Sequence, residues 1–305
     1  MNKKSLGSRI KNEYLGKAYA TICGLFIIAL TLSIIFFITS KGLSTFIKDG
    51  HSISDFLLST TWKIDDMGVS SKFGALIFIV GSTIIATGAV LISTPLGIAL
   101  AIFMNMISPR LGEKILQPSM ELFVGIPSVV YGWVGISVLV PVVKSLFGGI
   151  GISALAGIIV LSVMILPTIT SIASDAIKTI PKDYIEASYA LGATRWQTII
   201  KVIIPAAKSG ISTGVVLGLA RAFGESLAVQ MVIGNSISFP KGIHGTTSIL
   251  GTTSTLTSYL TMNMGDSVFG TPNNDALWSM AFLLLVISFL FILIIRVIGK
   301  RGDLK

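Results

Sequence analysis

Runs of apolar residues too long for a soluble core leave this chain little choice of fold. About 20 residues of α-helix cross roughly 30 Å of hydrocarbon, and within lipid every backbone polar group must find its partner in the protein. Six stretches meet that length: Ala18 to Thr39, Gly74 to Met104, Glu121 to Val143, Ile152 to Ile172, Ile211 to Gly234 and Leu277 to Ile298. Only 12% of the 305 residues are charged, and the charges fall mainly between these runs. The sequence therefore predicts an all-α membrane protein with six transmembrane helices. The second stretch is long enough to tilt or to include an interfacial turn.

A net charge of +9 could suggest nucleic acid, but the basic residues flank the apolar runs, as they do where charge fixes membrane orientation. One set holds Lys3, Lys4, Arg9, Lys11 and Lys17, then Arg110 and Lys114, then Lys178, Lys182, Arg195, Lys201 and Lys208, and finally Arg296, Lys300, Arg301 and Lys305. On the opposite side Lys41, Lys48, Lys63 and Lys72 are offset by Asp49, Asp55, Asp65 and Asp66, and only Lys144 and Lys241 remain. The bias predicts that both termini are cytoplasmic. The first apolar run spans 22 residues. A signal peptide's apolar region has about 7–15, and no small-residue cleavage site follows, so the run reads as a retained span.

Cys23 is the one cysteine and cannot form an intrachain disulfide. His51 and His244 lie far apart and give no metal-ligand spacing. No cofactor or metal is expected. There is no G-x-x-x-x-G-K-[ST] run, so nucleotide hydrolysis belongs elsewhere, and no nucleophile–base constellation marks an enzyme. The Gly-, Ser- and Thr-rich segment 235–276 reads either as a plain loop or as a short re-entrant piece near Ser248 to Tyr259. The organisation expected is a tail, span and outer loop (1–72), a membrane domain (73–299) and a tail (300–305).

The cytoplasmic segment 181–205 does not read as a simple linker. Pro181 suits a first helical turn, and Asp183 and Glu186 complement the helix dipole there. Ala187, Ala190 and Leu191 form an apolar strip. Gly192 permits a sharp turn, and a second short helix from Arg195 to Ile204 is expected to be interrupted by Pro205. Two short amphipathic helices about a glycine make either a surface loop or a docking knob for a cytoplasmic partner.

The fifth run carries two charges, Arg221 and Glu225. A charge at the bilayer centre costs about 2.5–3.5 kcal/mol on insertion scales, so the pair calls for an explanation. On a continuous helix Gly210, Gly214 and Gly218 share a sector with both charges, while Val216, Leu219, Phe223 and Leu227 face away. Small residues at this spacing admit a neighbouring helix closely. At i, i+4 the two charges can meet and neutralise each other. Alternatively Arg221 lies on an anion's route, with Glu225 tuning its charge or taking a proton from the substrate. Pro95, Pro127 and Pro167, inside other spans, leave carbonyls that need partners elsewhere or line a cavity.

Two motifs carry a family resemblance. Glu186-Ala187-Ser188, Gly192 at the matching spacing, and Val202, Ile204 and Pro205 resemble the "EAA" coupling loop of bacterial ABC-importer permeases. Arg221-Ala-Phe-Gly-Glu225-Ser-Leu-Ala-Val-Gln-Met-Val-Ile-Gly-Asn235 resembles the phosphate-specific transport permeases of the PstC branch, with departures at Ser226, Leu227 and Gln230. Gly125-Ile-Pro-Ser-Val-Val-Tyr-Gly132 is also similar to that branch. The resemblance runs from about Phe73 onward. It implies a type I ABC-importer membrane domain in the cell membrane, with Glu186, Ala187, Ser188, Gly192 and Ala193 at the ATPase contact. It also implies a second homologous permease, two ATPase subunits, an extracytoplasmic phosphate-binding protein, and phosphate as cargo. The competing readings are another oxyanion (sulfate, molybdate or phosphonate) and a channel or non-transporting scaffold. The charges on a small-residue face argue against a pure scaffold.

Overall fold

The computed structural model describes residues 6–63, 71–241 and 248–302, with side chains described except at 6–13, 295 and 298–302. Lys3, Lys4, Asp65, Asp66, His244 and Lys305 lie outside the described residues, as do the side chains of Arg9, Lys11, Lys300 and Arg301.

The helices that matter here are α1 (Leu6–Gly42), α2 (Leu76–Ile102), α3 (Gln117–Gly125), α4 (Ser128–Val134), α5 (Val140–Phe147) and α6 (Ala154–Lys178). They are followed by α7 (Lys182–Ala190), α8 (Arg195–Thr198), α9 (Lys208–Gly224), α10 (Leu227–Ile233), α11 (Leu256–Asn263) and α12 (Pro272–Gly302). Among the described residues, five helical stretches are long and apolar enough to cross a membrane; a bent pair, Arg195–Ala206 with Lys208–Gly224 at 68°, makes a sixth.

Two expected spans are not single helices. The stretch from Glu121 to Val143 breaks after α3, where Ile126 and Pro127 are extended (ψ 127° and 139°). The residue before a proline is pushed out of the helical region, which sets the break. Pro127 cannot donate to the Phe123 carbonyl, and the Tyr131 hydroxyl donates to it instead at 2.8 Å. The stretch from Ile211 to Gly234 breaks at Glu225, whose backbone is extended (ψ 128°). Three prolines inside helical stretches are accommodated differently. Pro118, Pro141 and Pro205 each follow a π-helical turn, at Gly112–Leu116, Gly135–Leu139 and Ile199–Ile203. A proline ring collides with the carbonyl four residues back, and here Lys114, Ser137 and Lys201 lie in those widened turns. The helix expected to stop at Pro205 therefore runs on to Ala206, and the chain bends at Ala207.

The core sits between α2, α6, α9 and α10, around Ile85, Leu161, Ile165, Ile169, Val229 and Ile233. An aromatic cap of Phe56, Trp62, Phe73, Phe78 and Tyr259 closes the end that carries the β1–β2 hairpin (Trp62–Lys63 with Lys72–Phe73). The segment after residue 247 packs into the bundle. Ala154 N–H donates to the Gly251 carbonyl, and Leu256 N–H donates to Ser82 Oγ at 2.9 Å. Of the two readings of segment 235–276, a short inserted helix describes its latter part. That helix, α11, begins at Leu256 under a Thr255 capping box.

Close packing under this segment depends on Gly81. A Cβ there would lie 2.2 Å from the Ser254 carbonyl oxygen. Gly81→Ala is expected to destabilise the protein by about 1–3 kcal/mol, the usual range for overpacking. Thermal unfolding in detergent reads this as a lowered midpoint, and an unchanged midpoint would unseat Ser254 from α2.

Candidate functional site

α9 lies against α6 along its glycines. Cβ atoms added at Gly210, Gly214 and Gly218 would meet Ala176, Ile172 and Ile169 at 2.4, 3.1 and 2.7 Å. This approach brings Arg221, half-buried, beside the middle of α6, where its Nη1 donates to Thr168 Oγ1 at 2.7 Å.

Arg221 and Glu225 do not pair. Among the described residues the ion pairs are Lys48–Asp275 and Lys178–Asp175, and no carboxylate lies within 4.0 Å of the Arg221 guanidinium. The helix ends at Gly224, so Glu225 turns away from the i+4 position. Its Oε1 instead accepts the Ala228 N–H at 3.2 Å, in the first turn of α10. Its carbonyl accepts the Thr257 hydroxyl at 2.7 Å. The break thus has a long-range cause: α11 supplies the partner that the ended helix no longer offers.

Arg221 lines a cavity of about 510 Å³ between α3, α6 and α9. Its polar wall comes from α6, where Thr168, Ser171, Asp175 and Lys178 fall at i, i+3, i+7 and i+10 on one face. Gln117 and Glu121 of α3 complete it. Lys178 Nζ donates to Gln117 Oε1 at 3.1 Å, linking the two helices. A second cavity of about 220 Å³ shares Gln117, Ser174 and Lys178 and extends to Asn105 and Glu113. Sequence reasoning does not single out these α6 residues: Thr168 and Ser171 lie unremarked inside the fourth apolar run, and Asp175 and Lys178 lie beyond its expected end at Ile172. The helical spacing of the four polar residues was the available signal.

The 181–205 segment folds as a helix–turn–helix knob. Gly192 has φ +79°, a left-handed conformation that glycine adopts without strain. Gly192 N–H donates to Tyr189 and Ala193 N–H to Ser188, closing the turn. Thr194 caps α8 in a capping box with Gln197. Ser188 and Thr198 hydroxyls bond across the two helices at 2.9 Å. Glu186, Ala187, Leu191 and Trp196 are exposed, while Ile199 and Ile203 are buried against Ala101, Ile102, Ala173 and Ile177. One face of the knob is therefore presented outward, and the other is locked onto the ends of α2, α6 and α9.

This architecture defines a multi-pass membrane permease of the type I ABC-importer class. The chain belongs to the family described as binding-protein-dependent transport system inner membrane component, which matches residues 93–302. It is 52% identical over 295 residues, covering 96% of this chain and 93% of the relative, to a probable ABC transporter permease protein, YqgH, of Bacillus subtilis. It is 35% identical to the phosphate transport system permease protein PstC of Mesorhizobium japonicum, covering 87% of this chain and 82% of that one. A chain of a bacterial alginate ABC transporter crystal structure shares the fold with a TM-score of 0.67 at 14% identity, over 98% of each chain. The relatives are transporter subunits, not enzymes.

Proposed function

We propose that this chain is one of two permeases in an ATP-driven importer of inorganic phosphate. The observation that carries the reading is Arg221: a half-buried guanidinium lining the cavity, held by a hydroxyl and not by a carboxylate. Its fork of donors suits a tetrahedral oxyanion, and its charge offsets the cost of bringing an anion into the membrane. Glu225, read from the sequence as tuning that charge, caps α10 and does not line the cavity, so it leaves the guanidinium's charge to the anion. Phosphate, as against sulfate, molybdate or phosphonate, is supported by relatives such as the PstC of Mesorhizobium japonicum.

In this reading both termini face the cytoplasm, as the Lys and Arg bias supports. The region 1–72 precedes a membrane domain at 73–299, and 300–305 is a tail. A second permease faces the groove and two ATPase subunits dock on the two knobs. An extracytoplasmic phosphate-binding protein delivers cargo to the outer face. Glu186, Ala187, Ser188, Gly192 and Ala193 form the ATPase contact of this chain. Ile199 and Ile203 pass its movement to α2, α6 and α9.

The test is labelled phosphate uptake by cells lacking this chain and then supplied with it. Restored uptake that excess phosphate suppresses and excess sulfate does not is the expected result. Equal suppression by sulfate would remove the phosphate assignment, and no restoration would remove import.

A further inference from the structure

We propose that Lys178 is a second anion contact, from which cargo leaves at the cytoplasmic mouth of the groove; this rests on the phosphate-import reading and its orientation. Arg221 and Lys178 line the same cavity. Lys178 lies ten residues along α6 from Thr168, the anchor of Arg221. At about 1.5 Å per residue the two levels are roughly 15 Å apart. Ser171 lies between them, and the adjoining second cavity shares Ser174 and Lys178 with the first and reaches Asn105, whose Nδ2 donates to Ser174 Oγ at 2.8 Å.

The partners of Lys178 suit a cation that exchanges ligands. Its hydrogen-bond acceptor is the neutral Gln117 amide, and Asp175 Oδ1 stands at 3.9 Å, beyond hydrogen-bonding distance. A phosphate oxygen is a stronger acceptor for an ammonium than an amide is, so an arriving anion displaces Gln117. Without Lys178, the only charges left lining the cavity beyond Arg221 would be the carboxylates of Asp175 and Glu121. With it, the repulsion is offset but not reversed. An ammonium also lacks the bidentate fork of Arg221 and holds a tetrahedral anion less tightly. The order of the two cations, fork first and point charge second, favours release toward the mouth.

The experiment uses the assembled complex in vesicles, with Cys23→Ala in this chain as the parent. Lys178 is 46% exposed, so a cysteine there is open to reagents. Lys178→Cys is expected to slow ATP-driven phosphate uptake about tenfold, the rate equivalent of one lost charge contact. An aminoethyl methanethiosulfonate restores the ammonium and most of the rate. The hydroxyethyl reagent can still donate to Gln117 but carries no charge, and it restores little. The anionic sulfonatoethyl reagent restores none. Undiminished uptake by Lys178→Cys overturns the proposal. So does equal rescue by the hydroxyethyl reagent, which would make Lys178 a mechanical link to Gln117. Failure of the ammonium to rescue, with labelling confirmed by mass, overturns it too. If the parent carries another oxyanion and not phosphate, the cargo reading falls separately and the three reagents are compared on that anion.

Discussion

Arg221→Gln is expected to lower phosphate uptake by about 100-fold or more while the complex still assembles. Each hydrogen bond to a charged group is worth about 1.5–3 kcal/mol, and a guanidinium can make two to one phosphate. Losing about 3 kcal/mol from the barrier crossing corresponds to roughly that factor. The close packing of Gly210, Gly214 and Gly218 on Ala176, Ile172 and Ile169 is untouched by this substitution, so α9 stays on α6. Arg221→Lys keeps the charge without the fork and is expected to lie between wild type and glutamine. Thr168→Val removes the anchor alone and should cost less than either. Uptake in cells lacking the native chain, with co-purified ATPase as the check on assembly, separates these outcomes. Full uptake by Arg221→Gln would take Arg221 off the path.

Gly192→Val is expected to abolish coupling without preventing insertion. Nothing lies within 4 Å of a Cβ built at Gly192, so the substitution causes no collision. The cost is in the backbone. At φ +79° an L-residue is disfavoured by about 1–2 kcal/mol, and a β-branched one by more. The turn between α7 and α8 would relax, and the Ser188–Thr198 bond that sets their angle would be lost. The expected result is uptake lowered at least about tenfold, with normal amounts of protein in the membrane. Asparagine tolerates the left-handed region, so Gly192→Asn should retain most activity. If valine transports as well as wild type, the knob's angle does not matter for coupling.

Much of this was legible in the sequence, and the exceptions have different causes. Apolar length marks the membrane helices because lipid imposes it locally. Gly192 and its spacing to Glu186 mark the knob because turn chemistry is local as well. The break at Ile126–Pro127 was readable in principle, since a proline constrains its predecessor. The break at Glu225 was not. No proline stands there, and the partner of its carbonyl is Thr257, thirty-two residues away. A helical wheel assumes an unbroken helix, so it placed Glu225 beside Arg221 and suggested an ion pair that the fold does not form. The α6 stripe was legible but overlooked. Its last two members, Asp175 and Lys178, lie beyond the expected end of the span, although helix and period continue through them.

The central claim is that ATP-driven phosphate passes through the groove that Arg221 lines. The most direct test is accumulation of labelled phosphate in vesicles holding the purified complex, with ATP on the knob side and binding protein on the other. The account predicts phosphate accumulation that requires ATP and is lost when this chain carries Arg221→Gln. Accumulation that survives that substitution, or that favours sulfate, would contradict it.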